Sequence, residues 1–276
     1  MDGFKYSVDD FFELFVKELE ITPSLHKYYK FHAKDKSYNF RKAYFIQRLR
    51  YIADHVKRGD KIFDCGCGYA TTAIFLTLNG FEVYGSTLEF YYDEINGRLE
   101  YWKQFGDLSA LEINYENLFD DNIPDESFDV IIAQDTLHHL EPFNEAIVIL
   151  SKILKKDGQL IAIEENGSNI VQNLKLFKQR GNKRIISIYD EKLKRNILIG
   201  NENIRSINKW KKEFTTNGLT IDDDSLEFIR VLPPQLFGNK SIEEVIEKEK
   251  NLKNKSALLR KYFFFGLNFV ANKNGR

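Results

Sequence analysis

The feature that most limits the folds open to this chain is a regular alternation of short apolar runs with helical patterns between residues 61 and 164. Lys61–Asp64, Phe81–Leu88, Leu111–Tyr115, Phe128–Ala133 and Gln159–Glu164 have the length and the β-branched, aromatic content of buried strands. Between them, Thr72–Asn79, Tyr91–Phe105 and Phe143–Leu154 carry apolar residues at helical spacing. Gly80 closes the first of these helices, and Lys155-Lys156-Asp157-Gly158 stops the last. Strands that alternate with helices over about 100 residues call for an α/β fold with a parallel, doubly wound sheet.

The flanks read differently. Asp9–Glu20 places Phe11, Phe12, Phe15, Val16 and Leu19 on one helical face, and Phe40–Val56 does so with Tyr44, Phe45, Leu49 and Ile52. Residues 1–58 are therefore expected to form a helical N-terminal cap, and 59–276 the main domain. Insertions are expected at about 166–203 and 234–261. After the first comes a helix over Ser206–Asn217, then a strand over Leu219–Val231 ended by Pro233 and Pro234. A long charged helix over Ser241–Lys261 and a last strand over Tyr262–Ala271 complete the chain, and the two late strands suit an antiparallel pair at one sheet edge. The aromatic residues of the cap, Tyr28, Tyr29, Phe31 and Tyr38 among them, suit either an apolar pocket or the core of the cap itself.

Composition narrows the function. With 43% hydrophobic and 29% charged residues the chain can bury a core, and a net charge of −1 argues against a nucleic-acid surface. One basic stretch, Lys175 to Arg195, stands out from that balance. Cys65 and Cys67 are too close to close an ordinary disulfide and have no second cysteine pair to complete a zinc site. They read as small apolar fillers kept reduced, which fits a cytoplasmic protein. The N-terminus lacks a signal-peptide pattern, and no 18 consecutive apolar residues offer a membrane span. Peripheral membrane contact stays compatible with the sequence, and the oligomeric state stays open. His26 and His32 among tyrosines make no metal signature, so no metal is expected.

Between the first strand and its helix lies Asp64-Cys65-Gly66-Cys67-Gly68-Tyr69-Ala70. Gly66 and Gly68 permit positive φ and close ligand approach, and the helix that follows turns its N-terminus toward the ligand. A dinucleotide site would need a third glycine where Thr71 stands. An acid at the strand end and a small residue at Ala70 suit instead a ligand with a zwitterionic amino-acid tail and no phosphate. A nucleotide-dependent oxidoreductase is thereby disfavoured.

This turn resembles motif I of the class I S-adenosylmethionine-dependent methyltransferases. Later phrases fall in the family's order: Gly80-Phe81-Glu82-Val83-Tyr84-Gly85, Asp125-Glu126-Ser127-Phe128-Asp129-Val130-Ile131, Leu137-His138-His139-Leu140, and Leu154-Lys155-Lys156-Asp157-Gly158-Gln159-Leu160. The resemblance implies a Rossmann-like, mostly parallel seven-stranded sheet with an antiparallel edge strand, S-adenosylmethionine as donor and S-adenosylhomocysteine as product. It assigns Asp64, Gly66, Cys67 and Gly68 to the cofactor turn and Gln134 to the methionine end, with Arg41 reaching the methionine carboxylate. The family's ribose acid falls at Thr87 here, followed by Leu88, so Glu89, returned to the same face by strand alternation, is expected to hold the ribose. Glu116 or Asn117 is expected at the adenine edge. A Thr-Leu pair in this place is similar to cyclopropane-fatty-acid-synthase-like members, but their bicarbonate-holding glutamate is replaced here by His138.

Methyl transfer from a sulfonium needs alignment and desolvation, and an O–H or N–H acceptor also needs a base. His138 and His139 follow the fourth strand and are the candidate bases, with structural packing as the alternative for either. Glu165 and Asn166, after the fifth strand, are further substrate candidates. The expected function is methyl transfer to a small-molecule or lipid-like acceptor, O- or N-methylation favoured. The alternative is a non-catalytic S-adenosylmethionine-binding regulatory protein.

Overall fold

The computed structural model describes residues 4–31, 37–89, 91–120, 122–232 and 240–273. His32, Pro233 and Pro234 lie outside the described residues. Strands β1 (Lys61–Cys65), β2 (Glu82–Thr87), β3 (Leu111–Tyr115), β4 (Phe128–Gln134) and β5 (Leu154–Glu165) run parallel in the order β3-β2-β1-β4-β5. Beyond β5 lies β10 (Gly266–Lys273), antiparallel to it, and β10 carries β8 (Leu219–Ile221) and β9 (Glu227–Ile229) on its other side. Eight strands thus fill seven positions, as a mostly parallel Rossmann-like sheet with an antiparallel edge.

Strand alternation sorts the side chains into two cores. Ile62, Val83, Val130, Ile132, Ile161 and Ile163 face one layer, and Phe63, Cys65, Ile131, Ala133, Leu160 and Ala162 face the other. The first layer holds α1 (Val8–Ile21), α2 (Pro23–Tyr29), α3 (Tyr38–His55), α4 (Thr71–Leu78) and α5 (Ile95–Trp102). The second holds α6 (Phe143–Ile153) and α8 (Ile207–Thr216), whose Trp210 and Phe214 are fully buried. Ser7 and Asp10 close a capping box that starts α1. Phe11, Phe12 and Phe15 of α1 are fully buried against Phe31, Phe45 and Phe75. Phe11, Phe12, Phe15 and Phe31 therefore build core, whereas Tyr28 is about half exposed.

Three sequence expectations are corrected. Leu219–Val231 is two short strands, because residues 222–226 turn away and Ser225 accepts Tyr51 at its carbonyl. Ser241–Lys261 is two helices, α9 (Ile242–Lys255) and α10 (Ala257–Phe263), because Ser256 leaves helical geometry to cap the second. The stop after α6 is already strand: β5 begins at Leu154, pairs with Phe128, and shifts register before Gln159. Residues 166–203 contain α7 (Ile170–Arg180) and a separate hairpin of β6 (Ile185–Asp190) and β7 (Arg195–Gly200).

Candidate active site

The carboxyl ends of β1, β2, β4 and β5 converge on the turn after β1. Gly66 and Gly68 have φ of +74° and +56°, and Ala70 caps α4 in the same left-handed region. Gly66 is required by contact as well as by torsion, since a Cβ there would stand 2.4 Å from Thr136 Oγ1. Cys67 N donates to Ser86 O at 2.9 Å, and its thiol, raised by burial, packs over Gly85 of β2. Asp64 is buried beneath this turn. Its Oδ2 is buried with no hydrogen-bond partner among the described residues, and the nearby Ala73 N–H only partly offsets that burial. Burial pushes its carboxyl up to about 7. A buried acceptor without a donor, under a backbone that tolerates close approach, fits the ammonium-bearing tail of S-adenosylmethionine.

Thr71, where a dinucleotide site needs glycine, anchors the turn to the N-terminal helices. Its Oγ1 meets Tyr29 Oη at 2.7 Å and accepts Arg98 Nη1 at 2.8 Å. Arg98 also donates to the Tyr69 carbonyl and makes a two-pronged pair with Glu18 of α1, at 2.7 and 2.6 Å. Both side chains are almost wholly buried. Tyr69 stacks on Tyr91 with ring centroids 3.7 Å apart, beside Gly68.

The residues expected at the ribose and adenine ends fall as follows. Thr87 is buried and its Oγ1 accepts the Glu89 N–H at 3.2 Å, so Thr87 shapes the loop. Leu88 offers its carbonyl to Tyr115 Oη, and Glu89 stands exposed at the strand end, near enough to feel His139. The carboxylate of Glu116 accepts Tyr84 Oη at 2.7 Å, and the side chain of Asn117 caps its own turn at Phe119 N. Gln134 accepts Thr72 Oγ1 at 3.2 Å beside the turn after β1. Arg41 bonds Ser37 Oγ on its own helix. Arg48, two turns farther along α3, is the arginine placed against the site, 2.5 Å from Asp135 Oδ2.

At the end of β4 a polar cluster surrounds the two histidines. Glu164 of β5 is buried and accepts Thr136 N and Leu137 N at Oε1 and His138 Nδ1 at Oε2, the last at 2.5 Å. Burial disfavours a charged His138, yet Glu164, with Asp135 and Glu202 farther out, more than offsets this and pushes it up to about 9. His138 is therefore a buried imidazolium at neutral pH. His139 Nδ1 lies 2.7 Å from the Gly200 carbonyl. A carbonyl only accepts, so Nδ1 carries the hydrogen and Nε2 is left with its lone pair. Burial would raise Asp135, but Arg48 and Arg230 beside it hold its carboxyl below the ordinary range. Among the described residues His138, His139 and Glu202 bring ligand atoms within 4.8 Å of one another, with His138 Nε2 3.8 Å from Glu202 and its Nδ1 held by Glu164, so a cation there would have to displace the Nε2 proton of the His138 imidazolium.

Sequence reasoning missed Glu164, Arg48 and Arg230. Two adjacent acids ending an apolar strand, Glu164-Glu165, were the available sign for the first. Nothing local marks the two arginines. Asn166 is buried and donates to Lys261 O and Phe264 O, so it ties α10 to the sheet end and does not face a substrate.

Residues 63–162 match the family model described as "Methyltransferase domain". No curated protein matches the chain by sequence. Among solved structures, a SAM-dependent methyltransferase from Methanosarcina mazei aligns with a TM-score of 0.55 at 18% identity, over 82% of this chain and 97% of that one. A SAM-dependent methyltransferase from Archaeoglobus fulgidus gives 0.53 at 15%, over 82% and 92%. Geranyl diphosphate C-methyltransferase from Streptomyces coelicolor, in complex with Mg2+, geranyl diphosphate and S-adenosyl-L-homocysteine, gives 0.56 at 13%, over 88% of each chain. At these identities the likeness is one of fold.

Proposed function

We propose that this chain, whose residues 63–162 match a methyltransferase-domain model, is a class I S-adenosylmethionine-dependent methyltransferase that methylates an O–H or N–H group of a small-molecule or lipid-like acceptor. The donor supplies an electrophilic methyl on a sulfonium, which leaves without acid assistance. The protein's work is to hold, align and deprotonate. Asp64 and the Gly66-Cys67-Gly68 backbone take the amino-acid end of the donor, Gln134 flanks it, and Glu89 takes the ribose hydroxyls. The adenine edge falls to Glu116 or Asn117. Arg48 takes the place first given to Arg41, with Asp135 as its partner. Helix α1 caps this site through Glu18, which holds Arg98 against Thr71.

The observation that carries the choice of acceptor is the orientation of His139. Its Nδ1 is committed to Gly200 O, so Nε2 is the nitrogen able to take a proton. His138 already holds its proton, and serves as a fixed cation that orders the loop after β4. O- or N-methylation needs such a base.

Calorimetry with S-adenosylhomocysteine and NADH side by side tests the cofactor, and binding of NADH alone would sink the reading. Glu89→Ala should weaken S-adenosylhomocysteine about tenfold, or ~1.4 kcal/mol. Unchanged affinity would move the ribose role elsewhere. Incubation with labelled donor and separated lipid and polar metabolite pools then identifies the acceptor. Label appearing only on carbon would refute the choice of an O–H or N–H acceptor.

A further inference from the structure

The insertion after β5 turns its apolar residues away from the protein. In α7, Ile170, Leu174 and Phe177 recur at i, i+4 and i+7, so they share one face, and Val171 widens it. These four are 48–64% exposed, whereas Gln172 and Leu176 on the opposite side are buried. A helix of a water-facing surface shows the reverse pattern. The neighbouring α10, which packs beside α7, adds exposed Leu258 and Phe263. In the hairpin that follows α7 along the chain, Tyr189 and Leu198 are exposed as well. Exposed apolar residues on one helix face and on the helix packed beside it mark an interaction surface.

Charge identifies what the surface meets. Residues 175–195 hold eight Lys and Arg against two acids, in a chain whose net charge is −1. Lys192 and Arg195 pair with Asp93 and Asp120, and so hold the hairpin to the body of the protein. Lys175, Lys178, Lys183 and Arg184 are exposed and have no acidic partner among the described residues. A second copy docked about a two-fold axis would set these cations against themselves. At about 1.5 Å per residue, the 11 residues of α7 reach about half of a hydrocarbon core about 30 Å thick, so the helix is built to lie flat.

We infer that α7 and the β6–β7 hairpin form a docking surface for an anionic lipid bilayer. The apolar stripe of α7 enters the head-group boundary, and Lys175, Lys178, Lys183 and Arg184 meet the negative head groups. The same hairpin is stitched to the candidate active site, with Gly200 N donating to His139 O at 2.8 Å and Tyr115 Oη bonding Asp190 at 2.7 Å. Docking therefore sets the site beside the membrane surface.

Co-sedimentation with phosphatidylcholine vesicles, made with and without phosphatidylglycerol, tests this in the full chain. Binding should favour the anionic vesicles about tenfold or more and weaken as salt rises. Leu174→Ser with Phe177→Ser, and separately Lys175→Glu with Lys178→Glu, should each reduce binding about tenfold. These residues are exposed, so the thermal unfolding midpoint should stay in place and show that both variants fold. Equal binding to neutral vesicles, or no effect of either variant pair, would overturn the inference. So would sedimentation equilibrium showing a dimer that the same substitutions dissociate.

Discussion

Replacing Glu164 by Gln isolates the interaction that orders the loop after β4. The amide keeps the shape of the carboxylate and still accepts Thr136 N and Leu137 N, but it no longer pairs electrostatically with His138. His138 rises from 6.5 to about 9 in the folded protein, which corresponds to about 3 kcal/mol of stability. A base whose folded value is raised contributes fully below pH 6.5, and the contribution is lost as pH rises through 9. Urea unfolding from pH 6 to pH 10 should thus show the wild type about 3 kcal/mol more stable than Glu164→Gln at the acid end. The gap should vanish or reverse above pH 9. Asp64, pushed up to about 7, titrates in the same window, but it does so in both proteins and cancels in the difference. A difference that stays constant across the whole range would refute the assignment of the proton to this pair.

Glu18→Gln leaves the Arg98 guanidinium buried without its counter-charge, and should cost about 3–5 kcal/mol in chemical denaturation. Gly66→Ala forces a Cβ toward Thr136 Oγ1 at a positive φ, and should cost about 1–3 kcal/mol by the same measurement. It should also weaken S-adenosylhomocysteine in calorimetry, because the turn must shift. His139→Asn should slow transfer about 10²–10⁴-fold once the acceptor is known, with donor affinity unchanged. A parallel loss of donor affinity would show instead that His139 shapes the cofactor pocket.

Much of this protein is legible in single stretches of sequence. The apolar β-branched runs predict β1 to β4 to within two residues, since strand periodicity and burial are local properties. Gly66 and Gly68 announce the tight turn after β1, because glycine accepts its torsions and its close contacts. Near the C-terminus the pattern was a weaker guide: Ser256 caps a second helix where the charged run Ser241–Lys261 predicts one continuous helix.

What the tertiary structure alone decided is how the charges pair. Glu164 meets His138 across 26 residues, Glu18 meets Arg98 across 80, and Arg48 meets Asp135 across 87. Each pair joins elements brought together by packing, and no local period connects them. Those pairs decide which histidine holds a proton, which arginine faces the candidate site, and how the N-terminal helices grip the turn after β1. The chain's own pattern determined a doubly wound sheet and the glycine turn after β1, because both follow from backbone geometry and side-chain alternation. The electrostatics around that turn waited on the fold, because desolvation and Coulomb energy depend on distance in space rather than along the chain.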